Sequence, residues 1–179
     1  MTVEVAQSGF MGEHVIRLSP DDFRRLRTIR LAALASDPDA FGSSYEREAG
    51  FHDEVWLQRL QPDANPHFGY EDDTGTLVGM MVLARNVDDP ALASVFSMWV
   101  APERRGTGVA DELFTGAVAW ANDSGVTAIR LDVMGDNSRA EAFYARHGFT
   151  RTGTIAPIPG SERSEVEMRV AIGAPRNET

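Results

Sequence analysis

Apolar and polar positions change their period several times along the chain, and each change marks an element. His14-Val15-Ile16-Arg17-Leu18 reads as a short first strand. Ser19-Pro20-Asp21-Asp22 then supplies a capping serine, a proline at the first helical position and acids in the first turn. The helix this predicts carries Phe23, Leu26, Ile29 and Ala33 on one face, puts Arg24, Arg25 and Arg27 largely elsewhere, and stops near Ser36-Asp37-Pro38. Asp37 to Ser44 is too polar and too broken for a regular element and is expected to be a loop. A second helix is predicted over Asp53 to Leu60, with Val55, Trp56 and Leu60 on its apolar side.

His67 to Tyr70 and Thr76 to Ala84 read as a hairpin around Asp72-Asp73-Thr74-Gly75. An apolar strand follows over Val95 to Val100. From Val109 the period becomes helical, with Val109, Leu113, Phe114, Ala117 and Val118 on one face and an end near Asn122 to Gly125. In Thr127 to Met134, Ile129, Leu131 and Val133 alternate against Arg130 and Asp132, a strand pattern. Ser138 and Glu141 have the spacing of a capping box, and Gly148 suits a left-handed stop to the helix they open. Phe149 to Ile155 and Glu165 to Ile172 read as two closing strands, and no repeat or linker divides the chain.

Composition narrows the function. A chain of 179 residues is the size of one domain. Its 17 basic against 27 acidic residues give a net charge of −10, which argues against nucleic acid as a partner. The absence of cysteine closes off disulfides, thiolate metal sites and a thiol nucleophile. His14, His52, His67 and His147 are scattered without metal-ligand spacing, so no metal is expected. No apolar run has transmembrane length and no leader pattern precedes His14, so neither a membrane partner nor export is expected, and the cytoplasm is the expected location.

Chemistry concentrates where the apolar strand meets the long helix, in Arg104-Arg105-Gly106-Thr107-Gly108-Val109-Ala110. The first N–H groups of a helix have no intrahelical acceptor, and the macrodipole adds partial positive charge there. Gly106 and Gly108 remove side chains from the approach, and Arg104 and Arg105 bring full charges beside it. The stretch predicts a cradle for a phosphate or pyrophosphate. It is not the dinucleotide fingerprint, whose third glycine position holds Asp111, nor a P-loop, because no lysine follows Gly108.

Arg105-Gly106-Thr107-Gly108-Val109-Ala110 resembles the acyl-CoA signature R/Q-x-x-G-x-G/A of the GNAT superfamily of N-acetyltransferases. A second set of residues is similar to the family's downstream motif: Leu131-Asp132-Val133, then Asn137, Ala140, Phe143-Tyr144 and Gly148-Phe149. The resemblance implies a single-domain GNAT fold of the α/β (α+β) class. Its mixed, mostly antiparallel sheet of six to seven strands would carry about four helices on both faces. The domain would run over residues 13–172, between a flexible start at 1–12 and a flexible tail at 173–179.

It also implies acetyl-CoA as acyl donor, without a metal, held by Met98, Val100, Arg105, Gly106, Thr107, Gly108, Val109, Ala110 and Asn137. The acceptor would be a primary amine of a small molecule or peptide, and a homodimer is compatible with the family. Tyr144 is similar in position to the family's general acid. With no cysteine for an acyl-enzyme, direct attack in a ternary complex is the expected route.

Ala93 to Val100 contains no carboxylate where many relatives carry a glutamate, so the general base stays unassigned among Asp132, Asp39 and Glu46. A non-catalytic acyl-CoA-binding module is the alternative. The segment Ser36 to Glu54 holds Asp37, Asp39, Glu46, Glu48, Asp53 and Glu54 against Arg47 alone. If those acids face the acceptor cleft, they would favour a cationic amine.

Overall fold

The computed structural model describes residues 14–63, 65–158 and 161–173. The expectations for both chain ends lie almost wholly outside them. Strands β1 (Val15–Arg17), β2 (His67–Glu71), β3 (Leu77–Arg85), β4 (Leu92–Val100), β5 (Ala128–Met134), β6 (Thr150–Pro157) and β7 (Ser164–Ala171) form one sheet in the order β1-β2-β3-β4-β5-β7-β6. Only β4 and β5 run parallel. The helices are α1 (Phe23–Ser36), α2 (Tyr45–Ala49), α3 (Asp53–Arg59), α4 (Val109–Asp123) and α5 (Ser138–Arg146). Among the described residues, no helix is long and apolar enough to cross a membrane.

Two layers of helix cover the sheet, because its central strands are apolar on both faces. On one face α4 lays Leu113, Ala117 and Ala121 against Phe68, Met81, Leu83 and Ile129, all fully buried. Tyr144 of α5 joins the same core beside Phe114 and Phe149. On the other face Ile29 and Ala33 of α1 pack on Val78, Met80 and Trp99, and Leu26 packs with Trp56 and Leu60 at the end of α3. A buried side chain of the size of Phe68 or Trp56 contributes about 2–3 kcal/mol through removal from water.

Two local readings change. The cap of α5 is Asn137, whose Oδ1 accepts from the Ala140 N–H at 3.0 Å, one residue before the Ser138 cap that the Ser-x-x-Glu spacing predicts. The loop expected over Asp37 to Ser44 contains a short turn of helix at Pro38–Ala40, and the five-residue α2 follows it in a stretch with no predicted element. That helix has no apolar stripe; the buried carboxylate of Glu48 holds it down.

Candidate active site

The site begins where two strands part. β4 and β5 pair only over Leu92–Ser94 and Ala128–Arg130, although β4 runs on to Val100 and β5 to Met134. Beyond Ser94 the free side of β4 faces a gap. A bulge lies there: the β3–β4 register shifts between Met80 and Val82, leaving Ser97 and Met98 opposite Met81. Ser97 takes a φ of 54°, a left-handed conformation uncommon for a serine. Arg30 Nη1 donates to its Oγ at 3.1 Å.

In an antiparallel ladder successive residues direct their backbone groups to opposite sides. Ala101 N–H donates to Val78 O at 2.9 Å, toward β3, so Val100 points the other way, into the gap. Its carbonyl accepts from Arg105 Nε at 2.9 Å, and its N–H has no strand to pair with. Met98, two residues earlier, lies in the bulge and lines the same gap.

The gap leads to the N-terminus of α4. Gly108 caps that helix at φ 93° and Gly106 turns the preceding loop at φ 79°, both in the region that side chains disfavour. A Cβ at Gly106 would meet nothing within 4 Å, so the approach to the helix end is open. A cavity of about 620 Å³ joins the strand edge to this helix end, lined among others by Met98, Val100, Arg105, Gly106, Gly108, Ala110, Asn137 and Tyr144. Eight of the ten residues expected at the site are brought together there. Thr107 and Val109 are not: the Thr107 hydroxyl donates back to Arg104 O at 2.6 Å, and the Val109 side chain is in the core.

The arginines are less free than the sequence implies. Arg105 Nη2 donates to Asp37 Oδ2 at 2.6 Å, and Arg104 Nη2 donates to Asp72 Oδ2 at 3.2 Å. Asp37 also accepts from Trp99 Nε1 at 2.8 Å and from Ser36 Oγ at 2.6 Å. Burial alone would raise its pKa, but these donors outweigh it and hold the carboxyl below its ordinary range. Arg105 therefore closes the cavity wall by bridging Val100 and Asp37, and the backbone of α4's first turn is left as the open end of the cavity. Further positive charge comes from Arg139 and Arg146, which also line the cavity; Arg146 is tied to Asp111 at 2.7 Å.

Tyr144 is buried, with its hydroxyl 3.5 Å from Met98 Sδ. Desolvation pushes its pKa up to about 12. The hydroxyl therefore stays neutral and protonated near pH 7, able to donate a hydrogen bond to a group in the cavity.

The opposite face of β4 holds a group that the polar–apolar pattern hides. Glu48, 1% exposed, accepts from Arg30 Nη2 at 2.8 Å, from Arg30 Nε, and from Arg59 Nη1 at 3.0 Å. Burial opposes ionisation, yet these donors bring its pKa down to about 2. Arg30 falls four residues after Leu26 and four before Leu34, on the buried stripe of α1. An arginine at that place in the helical period was the available signal.

Three acids of the Ser36–Glu54 segment are neutralised by arginine: Asp37 by Arg105, Glu48 by Arg30 and Arg59, and Asp53 by Arg27. Asp39, Glu46 and Glu54 are exposed. Among the described residues no three His, Asp or Glu side chains gather as a metal ion would need.

Residues 27–149 match the model of the acetyltransferase (GNAT) family, and the chain belongs to that family. A mycothiol acetyltransferase of Rhodococcus jostii is 33% identical over 144 residues, covering 78% of this chain and 46% of that protein. The chain spans less than half the length of the mycothiol acetyltransferases it matches. The fold is shared with a GNAT acetyltransferase from Streptococcus pneumoniae, at a TM-score of 0.75 and 18% identity over 89% of this chain and 98% of that one. It is shared too with a phosphinothricin acetyltransferase from Sinorhizobium meliloti solved in complex with AcCoA, at a TM-score of 0.72 and 17% identity over 89% and 88% of the two chains.

Proposed function

We propose that the protein transfers an acetyl group from acetyl-CoA to a primary amine, by direct attack in a ternary complex. One observation carries the reading: the parting of β4 and β5 leaves a free strand edge that runs, through one cavity, to the open N-terminus of α4. Family membership and the AcCoA complex of the S. meliloti neighbour support the choice of donor. The fit is chemical. Unpaired N–H groups of α4's first turn suit a pyrophosphate, and the Met98–Val100 edge suits the amides of a pantetheine arm. Acetyl-CoA supplies the activated acyl group.

The chain's own residues do the rest. The Val100 N–H, pointing into the gap, is a donor for a carbonyl oxygen that gains charge. Arg105 fixes that segment by holding the Val100 carbonyl. Asn137 Oδ1 is spent on the cap of α5, leaving its Nδ2 as a donor toward the cavity. The Tyr144 hydroxyl donates to the departing sulfur.

The test is release of free thiol from acetyl-CoA by the purified protein, followed with a thiol reagent, against a panel of amines. Turnover with at least one amine, above the rate of hydrolysis alone, is expected. Saturable binding of acetyl-CoA without turnover on any amine would leave the acyl-CoA-binding module instead. The lack of any carboxylate on β4 supports that second reading.

A further inference from the structure

A second cavity, of about 350 Å³, lies on the face of β4 turned toward α1 and α3, and Ser97 lines it one residue from Met98 of the first. We propose that this cavity is the acceptor subsite and that it takes a small amine bearing a carboxylate, an α-amino acid with an apolar side chain. The inference rests on the acetyl-transfer reading and deepens it.

The charge of the lining points to an anion. Arg30 and Arg59 form part of the wall and no carboxylate does. Behind them Glu48 is one negative charge shared by two guanidiniums, so one positive charge is left over where water is partly excluded. Arg59 makes its Glu48 contact through Nη1, and among the described residues its Nε and Nη2 have no partner. Its guanidinium is oriented over the Trp56 ring, 4.6 Å from the centroid. A planar guanidinium with one free N–H edge, Nε and Nη2, suits a carboxylate.

His67 does not change this balance. Its Nδ1 lies 2.8 Å from Asn65 O, which only accepts, so Nδ1 carries the hydrogen. Burial and the nearby Arg59 and Arg30 lower its pKa, so the ring is neutral near pH 7.

The remainder of the lining decides the rest of the molecule. Leu26, Met80, Val82, Ala84 and Phe96 are apolar, and Phe96 is half exposed at the rim. The volume sits at the lower end of the range of about 300–1,000 Å³ usual for small-molecule sites, which favours an amino acid over a longer chain. The acid-rich segment does not contribute, since its unpaired carboxylates, Asp39, Glu46 and Glu54, are exposed and none lines this cavity.

The ammonium gives one proton to solvent; the nitrogen lone pair forms the C–N bond at the acetyl carbon; the C–S bond breaks with its electrons on sulfur. The second nitrogen proton ends on the thiol.

Three matched pairs test the proposal with the wild-type protein: L-methionine against 3-(methylthio)propylamine, L-leucine against isoamylamine, and L-phenylalanine against phenethylamine. Each pair differs in structure by the carboxylate alone, and kcat/KM is compared per unprotonated amine because the carboxylate also lowers the amine's pKa. Thiol release should favour the acid of at least one pair by roughly tenfold to a hundredfold in kcat/KM, as loss of a charge-assisted hydrogen bond predicts. Arg59→Gln should raise KM for that acid at least tenfold with acetyl-CoA affinity unchanged, and Arg59→Lys should restore part of it.

Calorimetric titration of the same amino acids into the protein saturated with CoA reads binding without turnover. It separates failure of this proposal from failure of the transfer reading. Binding without transfer keeps the subsite and removes the enzyme. Transfer to the bare amines at equal or better rates, or no binding of any of the three acids, overturns the proposal.

Discussion

Glu48→Gln keeps the shape of the side chain and removes its charge, leaving Arg30 and Arg59 without their shared counter-ion. In the folded protein the Glu48 pKa is near 2, against an ordinary 4.5. That difference corresponds to about 3 kcal/mol of stability at neutral pH. Water that reaches Arg59, whose side chain is 31% exposed, screens part of it, so a loss of about 2–3 kcal/mol is expected.

The sign follows from linkage. A carboxyl whose folded pKa is depressed contributes fully above its unfolded value and loses that contribution as pH falls through the folded one. The stability gap between wild type and Glu48→Gln should therefore be widest above pH 5 and narrow steadily from about pH 4.5 toward pH 2. Urea unfolding at pH 7, 5, 4 and 3, followed by circular dichroism, measures it, with equal denaturant slopes for the two proteins. A gap below about 0.5 kcal/mol at pH 7, or one that stays constant down to pH 3, would refute the buried-charge account.

Tyr144→Phe keeps the ring in its core position and removes a hydrogen-bond donor to the leaving sulfur; kcat should fall about tenfold to a hundredfold with acetyl-CoA affinity little changed, as steady-state kinetics and titration would show. Wild-type turnover would make Tyr144 a packing residue. Asp39→Asn combined with Glu46→Gln removes two exposed acids of the segment Ser36 to Glu54, whose charge would draw a cationic acceptor if it faced the cleft. Steady-state kcat/KM for the best acceptor should change less than twofold at low ionic strength, and a larger fall would return selection to that surface.

How much of this was legible depended on whether function and local pattern coincide. The cradle is readable because glycines at φ 79° and 93° interrupt a strand-to-helix transition, and few other residues make that turn. The α4 stripe, the hairpin and the two closing strands follow from side-chain period alone. Arg105 was legible as a residue of the glycine turn but not in its contacts, because its partner Asp37 lies 68 residues away in the chain. Asn137 and Ser138 are both good caps, and only the fold decides between neighbours. The Arg30–Glu48–Arg59 group is hidden in the sequence, where a polar residue on an apolar stripe reads as a break in the pattern. The helix that carries Glu48 is five residues long and has no period to detect.

In the proposed enzyme the glycine turn and the first N–H groups of α4 receive the pyrophosphate of acetyl-CoA. Gly108→Asp tests it most directly. It puts a carboxylate at the mouth of the helix and strains a backbone at φ 93°, a cost of about 1–2 kcal/mol that the fold should survive. Calorimetric titration of acetyl-CoA into wild type and into folded Gly108→Asp should give one saturable site in the first and an affinity at least tenfold weaker in the second. Equal affinity in the two proteins, with circular dichroism spectra that coincide, would contradict the account.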